Sequence, residues 1–159
     1  DLEFTEALAA ETLIRTLQPL LPEGITLLSA REVPVGGPSL SQEIRGAVWS
    51  FDVDLESPGP IAVDWDAALH ALLGADALIW NDTDKKGRPR QRDCRASLQS
   101  LEIMEARGQQ GQRLRLEVGV DEMGRSLRPA QIQHWLAEQL NQPIAVDKVC
   151  RDALVLARC

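Results

Sequence analysis

The chain reads as an α+β protein: a ferredoxin-like sandwich of the split strand-helix-strand kind, preceded by half of a second, similar unit. Three observations predict it. From Ala47 onward the apolar patterns run strand, helix, strand, strand, strand, helix, strand, one strand more than that sandwich contains. The first 33 residues read as strand, helix, strand without a partner half, and such a piece cannot bury both faces alone. Between the two lies Pro34-Val35-Gly36-Gly37-Pro38-Ser39, the strongest breaker run in the chain. The expected division is therefore residues 1–34 for the C-terminal half of a truncated unit, 35–46 for a linker and 47–159 for the larger domain.

Taken in order, Asp1 to Phe4 reads as the end of a strand, and Thr5 as the N-cap of a helix with Glu6 in its first turn. Ala10, Leu13, Ile14, Leu17 and Leu21 follow at helical spacing, and Pro19 ends the helix near Leu17 or Gln18. After Pro22-Glu23-Gly24, Ile25 to Val33 reads as a strand.

In the larger part, Trp49, Phe51, Val53 and Leu55 alternate with Ser50, Asp52 and Asp54, a half-buried strand with one wet face. Asp64 caps a helix carrying Trp65, Ala68, Leu69, Leu72 and Leu73, with Gly74 as its stop. Ala77 to Trp80 is a short strand, and Leu98 to Ala106 and Leu114 to Val120 are two more. Pro129 opens a helix whose stripe is Ile132, Trp135, Leu136 and Leu140. Ala153 to Ala157 supplies the last strand. The expected core is Trp49, Phe51, Val53, Trp65, Leu69, Leu72, Leu116, Val118, Ile132, Trp135 and Leu136.

Composition narrows the function. With 159 residues, 44% hydrophobic and 26% charged, the chain has the make-up of an ordinary globular protein. No apolar run reaches the roughly 18 residues of a membrane span, and no basic-then-apolar leader is present. The chain opens on Asp1 rather than Met, which reads as a piece of something longer. Cys94, Cys150 and Cys159 are odd in number without C-x-x-C spacing, so reduced thiols in a cytoplasmic protein are expected. The net charge of −7 excludes broad non-specific nucleic-acid binding over the body.

One stretch opposes that charge. Asp82 to Arg95 holds six cations (Lys85, Lys86, Arg88, Arg90, Arg92, Arg95) and three acids (Asp82, Asp84, Asp93), a net +3 that leaves −10 for the other 145 residues. The bland reading is a solvated loop whose charges keep a sheet edge soluble. The functional reading is a phosphate-binding loop: cations at alternating positions reach one backbone, with Gly87 and Pro89 bending the chain to present them. No aromatic residue lies within the stretch to stack on bases. Asp93 and Arg95, two apart on an extended segment, read as a structural ion pair pinning its end.

No catalytic constellation is visible. His70 and His134 fall one to a helix without a ligand-spaced partner, so no metal site is expected. Cys94 sits between Arg92 and Arg95, but no His is close in sequence to serve as base. Gly36-Gly37 lacks the pattern of a P-loop.

The segments Pro22-Glu23-Gly24-Ile25, Ala30-Arg31-Glu32-Val33-Pro34, Pro38-Ser39-Leu40, Lys85-Lys86-Gly87, Asp93-Cys94-Arg95 and Leu127-Arg128-Pro129 occur in that order. Together they resemble the radical SAM-linked (radical SAM-associated) protein family, a conserved domain of unknown function. Its members stand beside, or fused to the C-terminus of, a radical S-adenosylmethionine protein with a cobalamin-binding domain. The resemblance implies a longer domain, whose first strand-helix-strand part is not in this chain. It also assigns iron–sulfur cluster, S-adenosylmethionine and cobalamin to the partner domain, in cis or in trans, and none of them to this chain, which has no C-x-x-x-C-x-x-C. Genomic company with RNA-processing and ribosomal genes hints at RNA. The expected function is thus a non-catalytic accessory domain docking an RNA substrate through Lys85 to Arg95; the alternative is a protein–protein scaffold that positions the radical SAM partner.

Overall fold

A computed structural model describes residues 4, 6–33, 36–57, 62–84, 86–108, 110–121 and 124–157. The chain forms two compact units, Asp1–Gln42 and Glu43–Cys159. The expected N-cap Thr5, most of the expected first strand, and Pro34 and Val35 at the start of the breaker run lie outside the described residues.

In the first unit α1 spans Ala10–Leu17 and runs into a 3-10 turn at Gln18–Leu20, with Pro19 inside the turn. No residue of α1 is fully buried. Ile25 to Val33, expected as a strand, carries none. A strand needs a neighbour for its N–H and C=O groups, and no described residue of this unit offers one. Its start is instead tied to the helix end: Gln18 Nε2 donates to Ile25 O (3.1 Å) and Gln18 Oε1 accepts from Leu27 N (2.7 Å). Leu20 and Leu28 stand 75% and 91% exposed. A short helix, α2 (Leu40–Glu43), crosses the division between the units.

The second unit has the ferredoxin-like order. Its strands are β1 (Ile44–Leu55), β2 (Ile79–Thr83), β3 (Pro89–Asp93), β4 (Leu98–Ala106), β5 (Gly111–Gly119) and β6 (Ile144–Leu156), with helices α3 (Trp65–Gly74) and α4 (Pro129–Leu140). Four strands make one antiparallel sheet in the order β4-β5-β1-β6; β2 and β3 pair separately. Without that hairpin the order is β1-α3-β4-β5-α4-β6, two interleaved strand-helix-strand halves with β5 and β1 at the centre.

Alternation along β1 and β5 decides which face is dry. Register sets Phe51 opposite Leu114 and Trp49 opposite Leu116, and sets Asp52 opposite Arg113 and Ser50 opposite Arg115. The apolar members meet α3 and α4 in one core; all the expected core residues are buried except Trp49, which is partly buried with the Arg151 guanidinium 5.7 Å over its ring. Asp64 caps α3 as expected, its Oδ1 accepting from Ala67 N at 2.9 Å. α4 starts at Pro129, where Gln131 Oε1 accepts from Arg128 N (3.0 Å), and ends at Asn141 in the left-handed region (φ 49°).

Other elements differ from the sequence reading: α2 (Leu40–Glu43) and the start of β1 at Ile44 lie inside the stretch 35–46 expected as a linker. The basic stretch, expected as a loop, contains a strand, β3, that pairs with β2, which runs on to Thr83 instead of stopping at Trp80. The last strand begins at Ile144, nine residues before the expected Ala153. Its first part is broken by register shifts and by Lys148 at φ 46°, so no period of two survives in the sequence. Among the described residues no helix is long and apolar enough to cross a membrane.

Candidate functional site: the basic hairpin

The β2–β3 hairpin is rooted in the core and runs outward from it. Leu78 is buried at the base, with its carbonyl accepting from Cys94 N (2.8 Å). Trp135 of α4 donates its Nε1 proton to Ile79 O (3.2 Å). Trp80 stands edge-on to Trp135 and to His134, with ring centroids 6.1 and 5.4 Å away. Beyond these contacts the hairpin residues are mostly exposed.

Its turn is organised by Asp84. One carboxylate oxygen accepts from the backbone N–H of Lys86 (2.7 Å) and of Arg88 (3.0 Å); the other takes Arg88 Nε (2.7 Å) and Nη2 (2.7 Å). The N–H of Arg88, then its guanidinium, hold the Asp84 carboxyl below the usual range. Gly87 closes the turn at φ 75°, a backbone state glycine adopts without strain.

Opposed residues of an antiparallel pair share a face. Trp80 and Arg92, then Asp82 and Arg90, therefore lie along one side of the ribbon. Of the six cations, Lys85 lies outside the described residues, Lys86 and Arg90 are exposed, Arg88 is bound to Asp84, and Arg92 is partly buried beside Cys94. Arg95 is turned inward, donating Nε to Ala75 O (2.9 Å), Nη1 to Leu98 O (3.1 Å) and Nη2 to Leu73 O. It closes the last carbonyls of α3, where a cation also meets the negative end of the helix.

Asp93 and Arg95 act at the same place through different groups from those expected. The Asp93 carboxylate accepts from the backbone N–H of Arg95 (2.9 Å) and of Leu78 (3.0 Å), and these two bonds, Arg95's first, hold it below the usual carboxylate range. The Arg95 guanidinium goes to the three carbonyls. Arg95→Ala should cost about 2–3 kcal/mol in urea unfolding, because charged hydrogen bonds are lost and partly buried carbonyls are stranded. Asp93→Ala should cost about 1–2 kcal/mol for two stranded amides. Melting curves of both variants superimposable on the wild type would show these bonds to be dispensable.

A second polar cluster was not legible as such. Asp52 lies on the sheet face away from the helices, expected to be wet, yet its side chain is 3% exposed. It is covered by Arg113 (2.8 Å), Arg107 (3.1 Å) and Lys148 (3.2 Å). Arg107 also reaches Asp54 (3.1 Å), and Ser50 Oγ donates to Asp152 (3.1 Å). The cations come from β5, from the turn after β4 and from the irregular part of β6. The alternation of Asp and Arg on neighbouring strands signalled a ladder; Lys148 gave no signal, because its approach depends on the bulge.

Among the described residues no group of three or more His, Cys, Asp or Glu is placed to hold a metal. Cys94 is buried and free, and burial pushes its thiol up against the opposing pull of Arg92. Cys150 is exposed and free, and the hydrogen bond to Asp152 pushes its thiol up. A shallow cleft of about 470 Å³ at the start of α3 is lined by Val63, Asp64, Trp65, Asp66, Ile103 and Gln112; the Asp64 carboxylate in it is already bound to the helix.

No curated protein and no solved structure is similar enough to match the chain. A profile of a family described as an uncharacterized protein conserved in bacteria, DUF2344, matches residues 1–129. That match covers most of the chain, from the first residue to the opening of α4, and the protein therefore belongs to this bacterial family.

Proposed function

We propose that the chain is a non-catalytic accessory domain that docks RNA on the β2–β3 hairpin for a separate enzyme. One observation carries the reading: a segment of net +3 on a chain of net −7 is held out from the core as a ribbon, rooted through Leu78, Ile79 and Trp80. Strand pairing requires no cations there, and a rigid base presenting an exposed tip is how binding loops are usually carried. That the enzyme is a radical SAM protein, bearing the cluster, S-adenosylmethionine and cobalamin, rests on the ordered segments from Pro22 to Pro129 that resemble the radical SAM-linked family.

The test is a fourfold variant, Lys85, Lys86, Arg88 and Arg90 to Ser, titrated with a short single-stranded RNA by fluorescence anisotropy. Stability should stay within about ±0.5 kcal/mol per site. The slope of log K against log salt should flatten by about 2–3, at roughly 0.7 per phosphate contact on a single strand, Arg88 counting least because Asp84 already holds it. Equal affinity and slope in variant and wild type would leave the hairpin as solvated surface.

A protein–protein scaffold is the second reading, and the first unit favours it. Leu8, Leu20, Ile25, Leu28, Val33 and Leu40 are exposed within residues 1–42, more apolar side chains than so short a segment normally leaves in water. Co-purification with the radical SAM partner after nuclease treatment would support that reading.

A further inference from the structure

The cleft at the start of α3 has a polar side chain in its wall with half of its bonding unused. Gln112 stands near the start of β5, opposite Val53 and on the core side of the sheet, and is 5% exposed. Its Nε2 donates to Gly108 O (3.1 Å) and so holds the turn after β4. A carbonyl only accepts, which fixes the amide: nitrogen toward Gly108, oxygen away from it. That oxygen is one of four buried side-chain atoms without a hydrogen-bond partner among the described residues; the others are Trp49 Nε1, Arg92 Nε and Ser100 Oγ. Of these four residues Gln112 alone lines the cleft.

A buried acceptor left open costs stability until a donor meets it, and the surroundings say what kind of donor fits. Two carboxylates stand on the cleft, Asp64 and Asp66. Asp64 Oδ1 already takes the N–H of Ala67 (2.9 Å), so the helix end is closed by an acid of its own rather than open to an anion. Asp66 is exposed at the rim. Between rim and floor the walls are apolar, from Val63, Trp65 and Ile103. The volume of about 470 Å³ lies within the range of small-ligand sites. A phosphate or carboxylate would meet two acids and an acceptor oxygen. An ammonium group on a short alkyl stem meets each surface with its complement: N–H donors for oxygen, methylenes for the walls. The net charge of −7 adds a general attraction for cations.

We propose that this cleft binds an alkylammonium group, with Gln112 Oε1 accepting one of its protons and Asp66 supplying the charge at the rim. The group belongs to a free alkylamine or to the lysine side chain of a partner, two sources with one chemistry. Entry is past Ala62, Ala106 and Gly108, which are exposed, and a small shift of these residues opens Oε1 to the ligand. The proposal does not depend on the RNA-docking reading, which concerns the hairpin.

The test is a magnetic-resonance titration of the isotope-labelled full chain with n-butylammonium chloride. The Trp65 indole and Gln112 side-chain amide signals should shift and saturate with a Kd of about 1 mM. n-Butanol, the same stem without the charge, should bind at least about tenfold more weakly. Gln112→Leu removes the acceptor and should weaken n-butylammonium about tenfold; Asp66→Asn, an exposed change, should weaken it about threefold. Nα-acetyl-lysine methylamide separates the sources: binding as tight as n-butylammonium supports a lysine side chain, and clearly weaker binding supports a free amine. No saturable shift with n-butylammonium, or equal shifts with n-butanol, overturns the proposal. So does a folded Gln112→Leu variant of wild-type affinity. Should that variant fail to fold, Asp66→Asn decides, and undiminished affinity there overturns the proposal as well.

Discussion

Trp135→Ala should lower the unfolding free energy of the second unit by about 3–5 kcal/mol, the usual cost of emptying a large aromatic site in a core. The ring is 4% exposed and sits on the face of α4 that also buries Ile132 and Leu136. Its loss is more than a cavity. Trp135 Nε1 donates to Ile79 O (3.2 Å) and the ring meets Trp80 edge-on, so the variant also strands a carbonyl and frees the root of the hairpin. Most domains have only about 5–15 kcal/mol in hand, and the variant should unfold near the middle of the wild-type urea range. Amide exchange should separate the two effects: faster opening at 79–83 than at the buried centre of β5 marks the anchor as lost first. Trp135→Phe keeps most of the packing without the donor and should cost less, about 1–2 kcal/mol. A Trp135→Ala loss under about 1 kcal/mol would remove Trp135 from the core and the anchor alike.

Asp52→Ala should be the other large loss, roughly 2–3 kcal/mol. Breaking a fully buried ion pair costs about 3–5 kcal/mol. The lower figure applies because Arg107, Arg113 and Lys148 keep 35%, 31% and 62% of their side-chain surface in water. Burial by itself pushes the Asp52 carboxyl up, but hydrogen bonds from Lys148 and Arg113 and the charge of Arg107 together outweigh it and hold the group below its ordinary value of 3.8. A carboxylate depressed in the folded state binds fewer protons folded than unfolded. Its contribution is therefore complete above about pH 3.8 and disappears as pH falls through the lower folded value. Wild type and Asp52→Asn should differ by a constant amount from pH 5 to 8 and converge in acid, while Asp84 and Asp93, also depressed, keep part of the acid limb in both. A difference that grows on acidification has the wrong sign for this network.

The sequence by itself determined the frame of the second unit. Trp49 to Leu55, Trp65 to Leu73, Leu114 to Val120 and Ile132 to Leu140 each show one clean period between recognisable stops, and periodicity alone assigns them to strand or helix and to a core face. The local excess of positive charge was equally legible, because charge can be counted without a fold. What the tertiary structure decided depends on partners distant in sequence. Arg95 could be counted as a cation, but only the end of α3, twenty residues earlier, turns it into a helix cap. Asp52 belonged on paper to a wet face; it is buried because Arg107, Arg113 and Lys148 arrive from three other segments. β6 hides in the sequence because a bulged edge strand keeps its ladder through backbone bonds while losing its side-chain period. Ile25 to Val33 errs the other way, with strand-forming residues but no strand, since a strand exists only where another chain segment satisfies its amides.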